Sequence, residues 1–467
     1  MVDDVISKGT SPEFGKSLTH VGPSSCDLSH GYQEPIGMTV YKRRFMGVAH
    51  LALLNIVVSW GWVTYPAVPV TSAVFLNVSV NAITWLSTGT LFAYCISAPF
   101  VFQTVERLGL RGSNMITSVL LLVGNWIRYA GTVSVVKNYG VVMFGQIIIG
   151  LAQPFCLSTP SKFSESWFTD KGRTSATAIA TLANPLGAAL GQFANPYLAK
   201  TPDDMPRMIL IISSISTLAI MPSFFIPSKP PTPPSTAAAV DRTGLLVALK
   251  DVARKRNFWL LSLPFSIYVA LFNSTITLLN QAVIPYGATE EEAGIAGGIL
   301  IGAGLVGAAI LSPLNDKFKW YMGTIRSFLP ITCAMYIALI FTPASALGIW
   351  PTYVVCAILG FSSFSILPVL LELLAEITFP HSPEIGSTIS WFGGQIFGAV
   401  FIIAQSAMVA GPSANPPYNM RWSLTFAAIL SAVFLPAPLL LTLVDSGALR
   451  RREQWHNTSL ETARDSA

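Results

Sequence analysis

The chain has 467 residues, of which 52% are hydrophobic and 11% charged, with a mean hydropathy of +0.57. Soluble domains carry roughly 25% charged residues, so this balance excludes an ordinary soluble protein and points to a polytopic membrane protein. The net charge of +5 is small for the length, and basic loops on one side of a bilayer account for it without a nucleic-acid partner.

Residues 1–40 lack the apolar core of a cleavable signal and read as a disordered cytoplasmic tail. Tyr41-Lys42-Arg43-Arg44 then forms a basic anchor before the first apolar run, 45–65. Five further runs of roughly twenty residues follow at 81–103, 113–132, 140–161, 174–195 and 208–227. A polar, Pro-rich and basic linker, 228–256, separates these from six more: 258–284, 294–314, 327–342, 349–375, 385–409 and 424–444. The expected plan is therefore all-α, with twelve transmembrane helices in two pseudo-symmetric six-helix bundles, 41–227 and 257–445. The remainder, 446–467, is a cytoplasmic tail. Two such halves around a basic central loop are the layout of a carrier that rocks about a site between them.

Loop charges support the count. Twenty Lys and Arg fall in loops placed in the cytoplasm and five, Arg128 among them, in loops placed outside, a bias that one missed span would scramble. Both termini are then cytoplasmic, and the plasma membrane is the expected location. Within the linker, Leu245, Leu246, Leu249 and Val252 suit a short amphipathic helix on the membrane surface, although a flexible basic tether reads equally well. Glu106-Arg107 and Asp316-Lys317 recur at equivalent turns of the two halves and suit a cytoplasmic latch.

Polar side chains in hydrocarbon need a partner or water, so those inside spans mark a cavity or a helix contact. They are Asn55, Trp60, Trp62, Asn125, Gln146, Gln153, Asn184, Gln192, Asn273, Asn280, Gln281, Gln395 and Gln405. Glu372 is the one carboxylate well inside a span, about a turn from its end, with Glu376 at the boundary. Ion-driven carriers keep a titratable group near the midplane, so this pattern favours facilitated movement; Glu372 is a proton-coupling residue, a gate or a helix-pairing residue. Asn184-Pro185 can line a cavity, because an interior proline frees a carbonyl, or can serve packing; Gly297, Gly298, Gly302, Gly304 and Gly307 suit close helix packing.

Nothing in the residue pattern calls for an enzyme, a cofactor or a metal: the five His form no cluster with Cys or carboxylates, and no nucleophile stands at a spacing that implies a base. Cys95, Cys156, Cys333 and Cys356 lie in spans and Cys26 in the tail, so no structural disulfide is expected. Asn77-Val78-Ser79 is a glycosylation sequon in the first exterior loop.

The run from Pro368 to Pro380 containing Glu372 and Glu376, followed by Gly394-Gln395-Ile396-Phe397-Gly398, resembles the tenth-to-eleventh helix region of the feline leukaemia virus subgroup C receptor-related transporters of the major facilitator superfamily. Gly145-Gln146 through Ala152-Gln153 to Pro160-Ser161-Lys162, Asn184-x-Leu186-Gly187, and Thr277-Leu278-Leu279-Asn280-Gln281 agree, so the resemblance spans nearly all of 41–445. It implies alternating access in a uniport-like cycle. The relatives are linked to choline and ethanolamine uptake and to haem handling. Carried over by position, Trp62, Gln153, Asn184 and Gln395 fall on substrate-pocket positions, and Asn273 stands where the choline carriers have a tyrosine ring. One wall of the cation–π cage is thus expected to be an amide here. Trp62 also fits an interfacial belt residue.

The expectation is a monomeric, membrane-embedded carrier of a small organic solute. Two alternatives stay open: a proton-coupled exporter of a lipophilic metabolite, and a membrane receptor that transports nothing.

Overall fold

A computed structural model describes residues 41–133, 135–168, 170–224, 245–318, 320–378 and 383–444. Every regular element among them is helical. A bilayer core offers no water to satisfy backbone groups, and a helix satisfies them within one segment.

The first half comprises α1 (Arg43–Val63), short α2 (Pro69–Leu76), α3 (Val80–Thr132), α4 (Tyr139–Trp167), α5 (Asp170–Leu198) and α6 (Met205–Ile220). After α7 (Leu245–Arg254), the second half comprises α8 (Arg256–Val283), α9 (Glu290–Phe318), α10 (Tyr321–Leu339), α11 (Trp350–Thr378), α12 (Pro383–Ala407), α13 (Arg421–Phe434) and α14 (Pro436–Val444). Among the described residues nine helical stretches have the length and hydropathy of a span, α13 and α14 counting as one; α2 with the first part of α3, bent by 108°, makes a tenth. Gly109 breaks α3 with φ 68° and ψ −175°, a conformation that a side chain disfavours, so the stretch 110–132 is a further span. The last is α5, whose hydropathy is held down by Thr181, Asn184, Gly187, Gln192 and Asn195 along its length. Twelve membrane-spanning helices in two six-helix bundles result.

Three expectations shift. The ninth span occupies 321–339 rather than 327–342, so Arg326 lies inside α10 and not in a loop. Arg128 is fully buried within α3 and is no exterior loop residue. The linker does form a helix at 245–254, and it is docked rather than a loose tether: Val252 is buried with Phe258, Leu261 and Leu374, and the Lys255 ammonium donates to the Ile377 carbonyl at the end of α11 (3.1 Å). A cation at a helix C-terminus is stabilised by the helix dipole. The side chains of Glu106 and Asp316 lie outside the described part, as does Cys26.

Between the halves, polar contacts cluster at the end of the molecule that carries α2. Asn280 of α8 donates to the Pro66 and Ala67 carbonyls (3.3 and 3.0 Å), Gln281 to Thr84 Oγ1 (2.8 Å), and Gln192 of α5 to the Ile276 carbonyl (3.1 Å). Glu290 at the start of α9 accepts from Val70 N (2.7 Å), Thr71 N (3.3 Å) and the Thr71 hydroxyl, so it caps the N-terminus of α2 from the other half. Lys200 and Glu291 pair at 3.2 Å. Helices α5 and α9 meet so tightly there that a Cβ at Gly294 would stand 2.5 Å from the Gln192 carbonyl oxygen. Small residues allow such approach in lipid, where packing and hydrogen bonds hold helices together.

Candidate functional site: a central cavity between the halves

Away from this sealed end, the halves part around a cavity of about 170 Å³. Drug-sized ligand sites run to roughly 300–1,000 Å³, so the space suits a small solute. Trp62 of α1, Gln153 of α4, Asn184 of α5, Asn273 of α8 and Gln395 of α12 all line it. Residues far apart in sequence thus converge on one space. Trp62, Gln153, Asn273 and Gln395 are buried and Asn184 half-buried, so Trp62 is a wall residue and not a belt residue at the lipid interface.

The local reasons are legible. Pro185 lacks the N–H that would bond the Thr181 carbonyl one turn earlier, and both residues line the cavity. Asn184 points its amide toward the Asn55 carbonyl of α1 at 3.5 Å. The Asn273 amide donates to Gln395 Oε1 at 3.3 Å, tying α8 to α12. Gln153 Oε1 and Trp62 Nε1 are buried without a hydrogen-bond partner. One is an acceptor and the other a donor, each with capacity that a ligand can use.

Sequence reasoning missed most of the aromatic content. Phe265, Tyr268, Phe272, Phe364 and Trp391 join Trp62 around the cavity. Phe272 and Phe364 meet edge to face at 5.2 Å, as do Phe265 and Trp391 at 5.6 Å, and the Tyr268 hydroxyl donates to the Ser431 carbonyl at 2.8 Å. The amide at Asn273 therefore does not leave that wall without rings: Phe272 and Tyr268, on the same helix, supply them. In an apolar span, phenylalanine carries no signal that separates a cavity face from a lipid face, which is why these residues stayed hidden.

Among the described residues that line the cavity none is charged. Glu372 is half-buried on α11 and is not one of them, although Pro368 and Leu370 of the same helix are. Asn77 is exposed at the C-cap of α2 in a left-handed conformation, φ 54°, and the Ser79 hydroxyl of the same sequon caps α3 by accepting from Ala82 N.

Residues 51–412 match the Major Facilitator Superfamily. Among curated proteins, the chain is 30% identical over 387 residues to the zebrafish (Danio rerio) "Solute carrier family 49 member A3", covering 81% of each chain. It is 30% identical over 389 residues to the zebrafish "Choline/ethanolamine transporter flvcr2a", with 79% of this chain and 81% of that one covered. The human (Homo sapiens) "Choline/ethanolamine transporter FLVCR2" is 27% identical over 441 residues, 91% of this chain and 81% of the relative. Among solved structures, a bacterial homologue of the human lysosomal transporter Spinster, in an inward-facing and unoccupied conformation, superimposes with a TM-score of 0.62 at 14% identity, covering 86% of this chain and 98% of its own. The D-xylose-proton symporter gives 0.60 at 15% identity, with 84% and 96% covered. The fold, the span of the family match and the identity to these relatives together establish that this chain is a multi-pass membrane transporter of the major facilitator superfamily, in the family of the FLVCR and solute carrier family 49 proteins.

Proposed function

We propose that this protein is a facilitative carrier of a small amino alcohol, choline foremost, and that Trp62, Gln153, Asn184, Asn273 and Gln395 take part in binding it. The observation that carries the reading is the cavity's composition: six aromatic side chains, five of them on the second half beside Asn273 and Gln395, facing the amides and hydroxyls of the first, with no charged side chain among the described residues that line it. Ring faces attract a quaternary ammonium by about 0.5–2 kcal/mol each according to desolvation, without the hydrogen-bond acceptors that a primary ammonium needs. A substrate hydroxyl both donates and accepts, which matches the free acceptor on Gln153 and the free donor on Trp62. The relatives named for choline and ethanolamine transport support this class. A cavity of about 170 Å³ is small for haem.

In this reading the α2 end faces outward, both termini are cytoplasmic, and the bundles 41–227 and 257–445 rock as units about the cavity. Closure of the outer end by Asn280, Gln192 and Glu290 makes the present state inward-facing. The protein works as a monomer in the plasma membrane, catalyses no covalent chemistry, and carries a glycan at Asn77. Glu106, Asp316 and Glu372 act at the cytoplasmic gate. A second reading, a proton-coupled exporter of a lipophilic metabolite, draws on the apolar wall around Phe364 and Leu367, and it requires Glu372 to couple protons from off the cavity.

Counterflow in proteoliposomes decides. Choline-loaded vesicles accumulate labelled choline without an ion gradient if the proposal holds; ethanolamine follows more weakly, and haem does not compete. Failure of choline with folded protein overturns the substrate class, and dependence on a proton gradient that Glu372→Gln abolishes establishes the exporter instead.

A further inference from the structure

Arg128 is completely buried in the first half, and no carboxylate pairs with it among the described residues. A cation left in that position without compensation is costly, so its partners explain why it is there. Nη1 donates to the Gly61 carbonyl (3.0 Å) and to Gln146 Oε1 (2.9 Å), and Nη2 to Asn125 Oδ1 (2.6 Å). Gln146 returns its own amide to the same Gly61 carbonyl at 3.0 Å, and Asn125 is held by the Leu121 carbonyl (2.8 Å) and Ser216 Oγ (3.1 Å). The guanidinium also lies 5.8 Å from the centre of the Tyr65 ring. Each of these groups is neutral.

The counter-charge is the end of α1. A helix leaves its last four carbonyls without intrahelical partners, and the peptide dipoles sum there to about half a negative charge. In α1, which ends at Val63 with Thr64 as its C-cap, those carbonyls belong to Gly61, Trp62, Val63 and Thr64. Gly61 takes Arg128 and Gln146, Trp62 takes the Ser87 hydroxyl (3.3 Å), Val63 takes Ala67 N (3.2 Å), and Thr64 takes the Asn195 amide (3.2 Å). The chain then turns through Pro66 and Ala67, where Asn280 reaches across from the second half.

We infer that Arg128 is a positioning residue for the transport site: its charge and forked donors, shared with Gln146 on the Gly61 carbonyl, fix the terminal turn of α1 and thereby the Trp62 ring in the cavity wall. It acts through Trp62 and touches no substrate. Arginine suits the task because its planar fork reaches two acceptors at once and stays charged in an apolar setting, which lysine's single ammonium does less well. The assignment itself does not need the amino-alcohol reading; only the transport arm of its test does.

Hydrogen–deuterium exchange on the purified, lipid-reconstituted full chain reads the local effect. Arg128→Gln is expected to speed exchange of residues 61–68 by about tenfold, with residues 46–54 of the same helix unchanged. Choline uptake supplies the second arm. Arg128→Gln raises KM by about tenfold with maximal flux per folded molecule within about twofold; Arg128→Lys recovers part of the loss, and in a Trp62→Ala background Arg128→Gln raises KM by no more than about twofold. Equal KM losses in both backgrounds, or faster exchange spread evenly over the first half, overturn the proposal. If Arg128→Gln does not fold, Gln146→Leu removes the other donor to Gly61 and is read by the same two measurements. If the wild type does not carry choline, the amino-alcohol reading fails while the exchange result still decides the role of Arg128.

Discussion

The two walls of the cavity are built from different chemistry. The first half presents Ser59, Gln153, Thr181 and Asn184 beside a single ring, Trp62; the second presents Phe265, Tyr268, Phe272, Phe364 and Trp391 beside the paired amides Asn273 and Gln395. Two bundles alike in helix count thus line the cavity unequally, with one ring among hydroxyls and amides on the first side and five rings beside two amides on the second. A solute that uses both must touch both halves, and an alternating-access carrier needs that, because only a ligand bridging the bundles can bias their relative movement.

Substitutions on opposite walls separate the two contributions. The largest effect is expected at Gln153: Leu removes the free acceptor and leaves the substrate hydroxyl unpaired, at a cost of about 1–3 kcal/mol, or roughly fivefold to 150-fold in KM for choline uptake. Trp62→Ala follows at roughly tenfold to thirtyfold, since it removes a ring face and a donor together; Trp62→Phe should restore the ring's share alone. On the facing wall, Phe272→Leu should weaken choline by about threefold to tenfold and leave a neutral isostere of choline unaffected as a competitor, which inhibition constants for the two compounds will show. If Phe272→Leu harms both equally, the second wall contributes packing and no selectivity. The smallest change in affinity is expected at Glu372, which stands off the cavity: as a gate residue, Glu372→Gln should lower maximal flux by about threefold while leaving KM for choline within about twofold and conferring no dependence on a proton gradient, whereas abolished flux would make it a coupling residue.

Much of this is legible in the sequence. Apolar run lengths and alternating loop charge predict twelve helices, and the helices stand close to the predicted places. Amides are costly in hydrocarbon, so Gln153, Asn184, Asn273 and Gln395 announce themselves, and the structure brings them to one cavity. The same logic was silent on the phenylalanines, because a ring facing lipid and a ring facing a cavity look alike in sequence. It also misplaced Arg128, since basic residues near span ends usually mark loops, and only the meeting of α1, α3 and α4 shows the helix terminus that accommodates this one.

Sequence by itself determined the class of the protein, because bilayer thickness and the cost of unsatisfied polar groups act on each segment separately. Tertiary structure decided which side chains share a space: the ring-lined wall, the seal at the α2 end, and the buried cation set against the end of α1. These depend on how helices distant in sequence cross, and helix crossings are fixed by packing between segments rather than by any one segment's composition.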